Sequence, residues 1–421
     1  MKVLWITNIL FPEAKTLISK NEELKSSGGW MLGLANELTK HTSIELHVAT
    51  VSDIVSTLNI SKGRKITYYT FPKGKGNIWY DKSYEGYWKE IYSSVNPDIV
   101  HIHGTEYSQG LAFIKACPQA KTVISIQGLT SAYYYYYYGV SKRLIIKHLS
   151  FRDIIRKDTL LQAKNKFKKR GEKIEIPMIK SVSHIIGRTE WDKAHAWAIN
   201  PKAKYHFCNE ILRNEFYSGK WEYEKCTKHT IFLSQAGYPI KGLHQLLKAM
   251  PLVLREYPDT KIRIAGGNII KNQTLRDKLS ISGYGLIIRS MLSRLKLWNH
   301  IDFLGGLNSE EMKAAYLDCN VFICPSTIEN SPNSLGEAQI LGVPCIASYV
   351  GGINDMIPSK SCGKLYRFEE VEMLAKCIID TFRESDVFDN TEMRRVAAER
   401  HSKEINTKKQ ISIYNNIINE Y

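Results

Sequence analysis

Two glutamates, Glu329 and Glu337, stand eight residues apart in the stretch ENSPNSLGE, just after the apolar run VFICPS. Carboxylates accept hydrogen bonds from hydroxyls, so such a pair could grip the sugar and the ribose of a nucleotide sugar. Between them, Ser331-Pro332 is a helix start, with Ser as N-cap and Pro at the first helical position. Gly342 followed by Pro344 stops the helix. Within it, Asn333 and Glu337 are four apart and share a face. The first-turn amides around Asn333 and Ser334, with the positive dipole end, form a seat for phosphate. Glu337 then meets a ribose diol, while Glu329, still in the loop, stays on the sugar side.

Residues of this kind need rigid elements to aim them. Short apolar runs at 2–9, 44–51, 98–104, 121–128 and 183–189 read as buried strands, with helix-like segments such as GWMLGLANELTK between them. The second half repeats that grammar at 229–235, 261–267, 301–306, 320–326 and 343–348. Strand–helix alternation twice over predicts two parallel-sheet α/β domains. They are expected at 1–208 and 209–399, with the polar stretch 214–229 as hinge and a last helix over 400–421. Ligands of such sheets bind beyond the carboxyl ends of the strands, and the candidate motifs fall there.

ENSPNSLGEAQILGVPCIASYVGG resembles the E-x7-E segment and following Gly-Gly of family 4 retaining glycosyltransferases (group 1 glycosyl transferases) of the bacterial polysaccharide-biosynthesis type. SSGGW (26–30) is similar to that family's glycine-rich first loop, HIHG (101–104) to its histidine segment, and PIKGLHQLLKAM (239–250) to its Lys-Gly signature. The resemblance spans most of the chain. It implies the GT-B fold, two Rossmann-like parallel-sheet domains facing each other across a cleft, with the acceptor on the first domain and the nucleotide sugar on the second. It also implies that the last helix joins the first domain.

The implied roles run residue by residue. The amides of Gly28 and Gly29 approach the diphosphate, since glycine lets backbone come that close. Lys241 neutralises the leaving group, Glu337 binds ribose, Glu329 binds the donor sugar and stabilises charge at the reacting carbon, and His103 contacts the sugar. The family often carries an arginine just before the Lys-Gly. Gln235 stands there instead, and Arg188 could supply the missing charge from elsewhere. A departing nucleoside diphosphate needs fixed donors at its phosphates. With Lys241 and the helix start in that role, and no Asp-x-Asp anywhere in the chain, no cofactor or divalent metal is expected.

The composition fits. The 421 residues are 43% hydrophobic and 24% charged, as in a globular protein, and the net charge of +16 asks for an anionic partner. The eight cysteines form no C-x-x-C pair and read as reduced, buried thiols of a cytoplasmic protein. MKVLWITNILFPEAK lacks a signal-peptide cleavage site, and no run is long enough to span a membrane. The segment 141–173 holds twelve Lys or Arg against three acids, with apolar residues at roughly helical spacing. Such a helix either binds an anionic membrane from the cytoplasmic side or packs one face on its own domain. The run Tyr133–Tyr138 offers rings for sugar or membrane contact.

The expected activity is transfer of a sugar from a UDP- or GDP-sugar to a carbohydrate or lipid-linked acceptor, in surface polysaccharide assembly. An epimerase or phosphorylase of the same fold is the alternative among enzymes. A basic nucleic-acid-binding protein is the alternative of another class. No RNA-recognition, KH or zinc-finger spacing supports that, so no nucleic-acid partner is expected. The chain also lacks the G-x-G-x-x-G of a nicotinamide dehydrogenase after its first strand.

Overall fold

Each of the ten apolar runs forms a strand in the computed structural model, which describes residues 1–19, 29–74 and 79–420. The chain divides into two units. The first comprises Met1–Ala132, Lys166–Arg213 and His401–Tyr421, and the second Tyr133–Asn165 and Asn214–Arg400.

The first unit is built on β1 (Lys2–Ile6), β2 (Glu45–Ser52), β3 (Asn59–Lys62), β4 (Ile66–Pro72), β5 (Ile99–His103), β6 (Thr122–Ser125), β7 (His184–Gly187) and β8 (Lys204–Phe207). They lie in the order β3-β4-β2-β1-β5-β6-β7-β8, parallel except where β3 runs against β4. Side chains alternate across the sheet. Leu4 and Ile6 join the cluster around Trp88 and Phe113, while Val3 and Trp5 join the one around Met31 and Tyr414. The helix Lys403–Glu420 covers that second face with Ile413, Tyr414 and Ile417, one helical stripe.

The second unit carries β9 (Thr230–Leu233), β10 (Lys261–Ala265), β11 (Ile301–Gly305), β12 (Val321–Cys324), β13 (Cys345–Ser348) and β14 (Lys364–Tyr366). Their order is β11-β10-β9-β12-β13-β14, with every pairing parallel. Both sheets have a point where the chain reverses its direction of growth, between β1 and β5 and between β9 and β12. Loops part there, leaving a crevice beyond the strand ends.

Two stretches differ from their sequence reading. The hinge candidate 214–229 belongs with the second unit: the Trp221 indole is buried and donates to the Cys319 carbonyl at 2.8 Å. The basic segment is three helices rather than one, Lys142–Lys147, Phe151–Ile155 and Leu160–Arg170, followed by a π-helical turn, Gly171–Glu175. Ser141 and Ser150 each cap a new start, accepting from the Leu144 and Asp153 amides. Lys157 takes a left-handed φ of 50° and ends the second helix. The part up to Asn165 packs in the second unit, where His244 Nε2 lies 2.8 Å from the Gly139 carbonyl and Asp153 accepts from the Gly283 amide at 2.6 Å. All eight cysteines are buried and unbridged, and among the described residues no helix is long and apolar enough to cross a membrane.

Candidate active site

At the switch point of the second sheet, β9 leads through residues 234–238 into the short helical turn Pro239–Lys241, and β12 leads into residues 325–332. These two loops meet. The Thr327 amide donates to the Ile240 carbonyl at 2.7 Å, and Lys241 Nζ stands 2.6 Å from Glu329 Oε1. Ser326 donates to the same carboxylate oxygen at 2.7 Å. Burial pulls the Lys241 ammonium down, but the Glu329 charge beside it prevails and holds it above the ordinary lysine range. It is a cation at every physiological pH.

Glycines shape the pair. Gly242 has a φ of +71°, and a Cβ on it would fall 1.6 Å from the Pro325 carbonyl oxygen. Gly351, with φ +53°, presses on the Glu329 carbonyl in the same way, at 1.9 Å, and the Gly352 amide donates to that carbonyl at 3.0 Å. The Lys-Gly and Gly-Gly dipeptides therefore let two loops and one carboxylate converge.

The helix that follows runs Asn333–Leu341, with Pro332 as its N-cap residue rather than Ser331, and no side chain caps it. Proline's lack of an N–H and its extended ψ of 118° suit it to that place. Ser331 Oγ instead accepts from Arg400 at 3.1 Å. Glu337, one turn in, is buried, and the Tyr316 hydroxyl reaches its Oε2 at 3.4 Å while also donating to the Ser334 carbonyl at 2.9 Å. Gln235 is exposed on the loop after β9.

The first unit gathers a second group at its own switch point. His103 ends β5, its ring 4.4 Å from that of Trp5 on β1 and 3.9 Å from that of His101. His101 is fully engaged, with Tyr414 Oη at 2.6 Å on one nitrogen and Ser125 on the other. His103 Nε2, by contrast, is buried without a hydrogen-bond partner. It borders a pocket shared with Met31, Arg188, Asn209, Glu210 and Gln410. Arg188 follows β7, is buried and pairs with Glu210. Burial first, then the Arg188 charge, pushes the His103 imidazole down to about 3. It is a neutral ring able to donate or accept one hydrogen bond.

Of the residues singled out from sequence, Lys241, Glu329, Asn333, Ser334 and Glu337 fall in the second unit, and Lys241 and Glu329 touch. His103 and Arg188 fall together in the first unit, so Arg188 keeps company with the histidines while Gln235 stands near Lys241 in the chain. Gly28 lies outside the described residues, and Gly29 opens the helix Gly29–Leu38. Ser326, Tyr316 and Gly242 were not marked in advance. Of these only Gly242 carried a signal, its place after Lys241.

Residues 220–403 match the family of glycosyl transferases, group 1. The chain is similar to the GDP-mannose-dependent alpha-(1-6)-phosphatidylinositol monomannoside mannosyltransferase of Mycolicibacterium smegmatis, 26% identical over 149 residues, which cover 34% of this chain and 35% of that relative. The chain thus spans about a third of the length of such curated relatives. In structure it resembles sucrose-phosphate synthase from Thermosynechococcus elongatus, at a TM-score of 0.71 and 14% identity over the full length of both. It also resembles Anabaena HepE in complex with UDP and glucose, at 0.64 and 14% identity over 99% of this chain and 100% of that one. The fold is GT-B, two Rossmann-like α/β units, and the match to the group 1 glycosyl transferases falls almost wholly in the second of them.

Proposed function

We propose that the chain is a retaining glycosyltransferase that moves a sugar from a UDP- or GDP-sugar to a carbohydrate or lipid-linked acceptor in surface polysaccharide assembly. The observation that carries this is the buried Lys241–Glu329 pair at the β9/β12 switch point, one turn before a helix start that leads to Glu337. A cation, a carboxylate and a phosphate seat in that order suit a nucleoside diphosphate sugar. Lys241 and the first-turn amides of Asn333 and Ser334 meet the diphosphate, Glu337 the ribose diol and Glu329 the donor sugar. Negative charge building on the leaving oxygens then finds fixed donors. Gln235 adds a neutral hydrogen bond, Gly28 and Gly29 bring backbone amides, and His103, held neutral, offers its Nε2 to a sugar hydroxyl. Because Lys241 already carries the neutralising charge, the reaction needs no divalent metal. HepE was solved with UDP and glucose, and the mannosyltransferase relative is named for GDP-mannose and a phosphoinositide acceptor, so both donor bases and a lipid-linked acceptor have precedent among similar proteins. Such an acceptor would be met at the inner face of an anionic membrane.

Thermal melts with UDP, GDP, ADP and CMP, each with and without EDTA, test this. One nucleoside diphosphate at ~100 times its dissociation constant should add roughly 2.7 kcal/mol of stability. The shift should survive EDTA and vanish in Glu337→Ala. No shift with any of the four, beside tight binding to random RNA, would reject the transferase reading.

A further inference from the structure

The short helices Lys142–Lys147 and Phe151–Ile155 leave most of their apolar residues exposed. Ile145 and Asp153 face inward, but Ile146, Leu149 and Phe151 are exposed, and Ile154 and Ile155 expose 57% and 62% of their surface. The Phe151–Ile155 helix packs against another short helix, Leu275–Ser280. That helix leaves Leu275 at 73% and Leu279 at 49%. Branched aliphatic side chains from two adjoining elements of one unit therefore stand in water together. Scattered single exposures are ordinary, but this many large apolar side chains left exposed on helices that pack together mark a docking face.

The polar residues around it are nearly all of one sign. Lys142, Arg143, Lys147, Arg156 and Lys157 on the first segment, and Lys271, Arg276 and Lys278 on the second, are exposed. The acids of the neighbourhood are engaged: Asp153 is buried against Arg152 and the Gly283 amide, Asp158 is half-buried with a partner of its own, and Asp277 caps its own helix and lies near Lys271. Packing the segment on its own domain, one of the two readings the sequence allowed, accounts for Ile145 and Asp153 but not for these side chains.

We infer that this composite face, residues 142–157 with 271–279 of the second unit, seats the protein on an anionic lipid bilayer, with Phe151, Ile154, Ile155, Leu275 and Leu279 entering the interface and the cations meeting lipid phosphates. A cationic rim around aliphatic tips is complementary to a charged headgroup layer over hydrocarbon. RNA is a poorer match, because it rewards stacking platforms over isoleucines. A second copy of the chain would bring the same excess of positive charge against itself. The inference is independent of the donor reading: it concerns a different surface, and it is read by lipid binding rather than by nucleotide binding.

The test is co-sedimentation of the full chain with vesicles of seven parts phosphatidylcholine to three parts phosphatidylglycerol, and with pure phosphatidylcholine. The expected result is binding to the anionic vesicles that weakens steeply with salt. Ile154→Glu with Ile155→Glu should cut it on the order of tenfold or more for each side chain withdrawn from the bilayer. Leu275→Glu with Leu279→Glu should act in the same direction, which a single basic helix would not require. Arg156→Glu with Lys157→Glu should cost about fivefold per cation and flatten the salt dependence. All six positions are exposed, so the variants should melt as the parent does and keep its nucleotide-induced shift. No binding to anionic vesicles overturns the inference. So does binding that the two apolar variants leave unchanged, and so does binding to random RNA in place of vesicles. A dimer that forms at high concentration and is lost in the apolar variants, without vesicle binding, overturns it too and makes the face a self-association surface.

Discussion

Lys241 and Glu329 illustrate how a residue's chemistry depends on its neighbours. The two are nearly buried, their side chains 15% and 9% exposed, so each charge is tolerable because the other stands at 2.6 Å. Removing one partner strands a buried charge, a loss of about 3–5 kcal/mol, whereas removing both can cost far less. Lys241→Met should therefore destabilise by about 3 kcal/mol in urea titration, and Glu329→Gln added to it should restore most of that. A double variant whose loss is the sum of the two single losses would mean the two are not coupled. The same contact bears on catalysis. The proposed donor must draw Lys241 toward its diphosphate, and Glu329 is then released to the sugar. Lys241→Met should therefore lower turnover by more than it lowers the affinity for the free nucleoside diphosphate, with initial rates and melts as the two readouts.

At the scale of elements, the loops are held by backbone shape. Gly242→Ala must place a methyl into the Pro325 carbonyl at a left-handed φ of +71°. The expected cost exceeds ~1 kcal/mol and is accompanied by loss of nucleotide binding, because the two loops can no longer close on each other. Gly237→Ala is the control: nothing lies within 4 Å of its added Cβ, and stability should hold within about 0.5 kcal/mol. Calorimetry of both variants decides it. This is also where legibility in the sequence divides. Strands rich in buried aliphatic side chains announce themselves as branched runs, and all ten such runs are strands. The four that escaped are β3, β4, β8 and β14. Three are short or polar strands of three or four residues, Asn59–Lys62, Lys204–Phe207 and Lys364–Tyr366, at the margins of their sheets. The fourth, ITYYTFP, is aromatic rather than aliphatic. The segment 141–173 misled because apolar spacing persists through Ser150 and Lys157, whose cap and left-handed turn break the helix. Lys241 and Glu329 stood out because each lies in a loop after an apolar strand run. That they touch was not legible, since they are 88 positions apart and only the sheet order brings them together.

Across the whole molecule, buried histidines lower stability in acid, and the buried carboxyl groups of Glu106 and Glu175 oppose them. Burial pushes His103 in the first unit and His244 in the second down to about 3. Folded, both stay neutral; unfolded, each takes a proton below its ordinary 6.5, so stability is full above that value and is lost as pH falls toward 3. At pH 5 each should cost on the order of 2 kcal/mol. Glu106 works the other way. Its Oε2 is buried without a partner, and burial, with Glu175 adding repulsion, pushes its carboxyl up to about 7 from an ordinary 4.5. The folded chain holds a proton there that the unfolded chain releases, so stability falls as pH rises from 4.5 to 7 and is level above. His103 and His244, joined by His101 and His206, outweigh Glu106 and Glu175 over the shared interval, and the protein should melt at lower temperature at pH 5 than at pH 7. Glu106→Gln, which mimics the protonated acid, should leave the melt at pH 4.5 nearly unchanged and stabilise the protein at pH 8 by on the order of 1–3 kcal/mol. It should thereby steepen the pH dependence, while His103→Gln should flatten it. Melts of the three proteins from pH 4.5 to 8 separate the contributions. A Glu106→Gln variant no more stable than the parent at pH 8 would show that Glu106 is ionised and solvated in the folded chain.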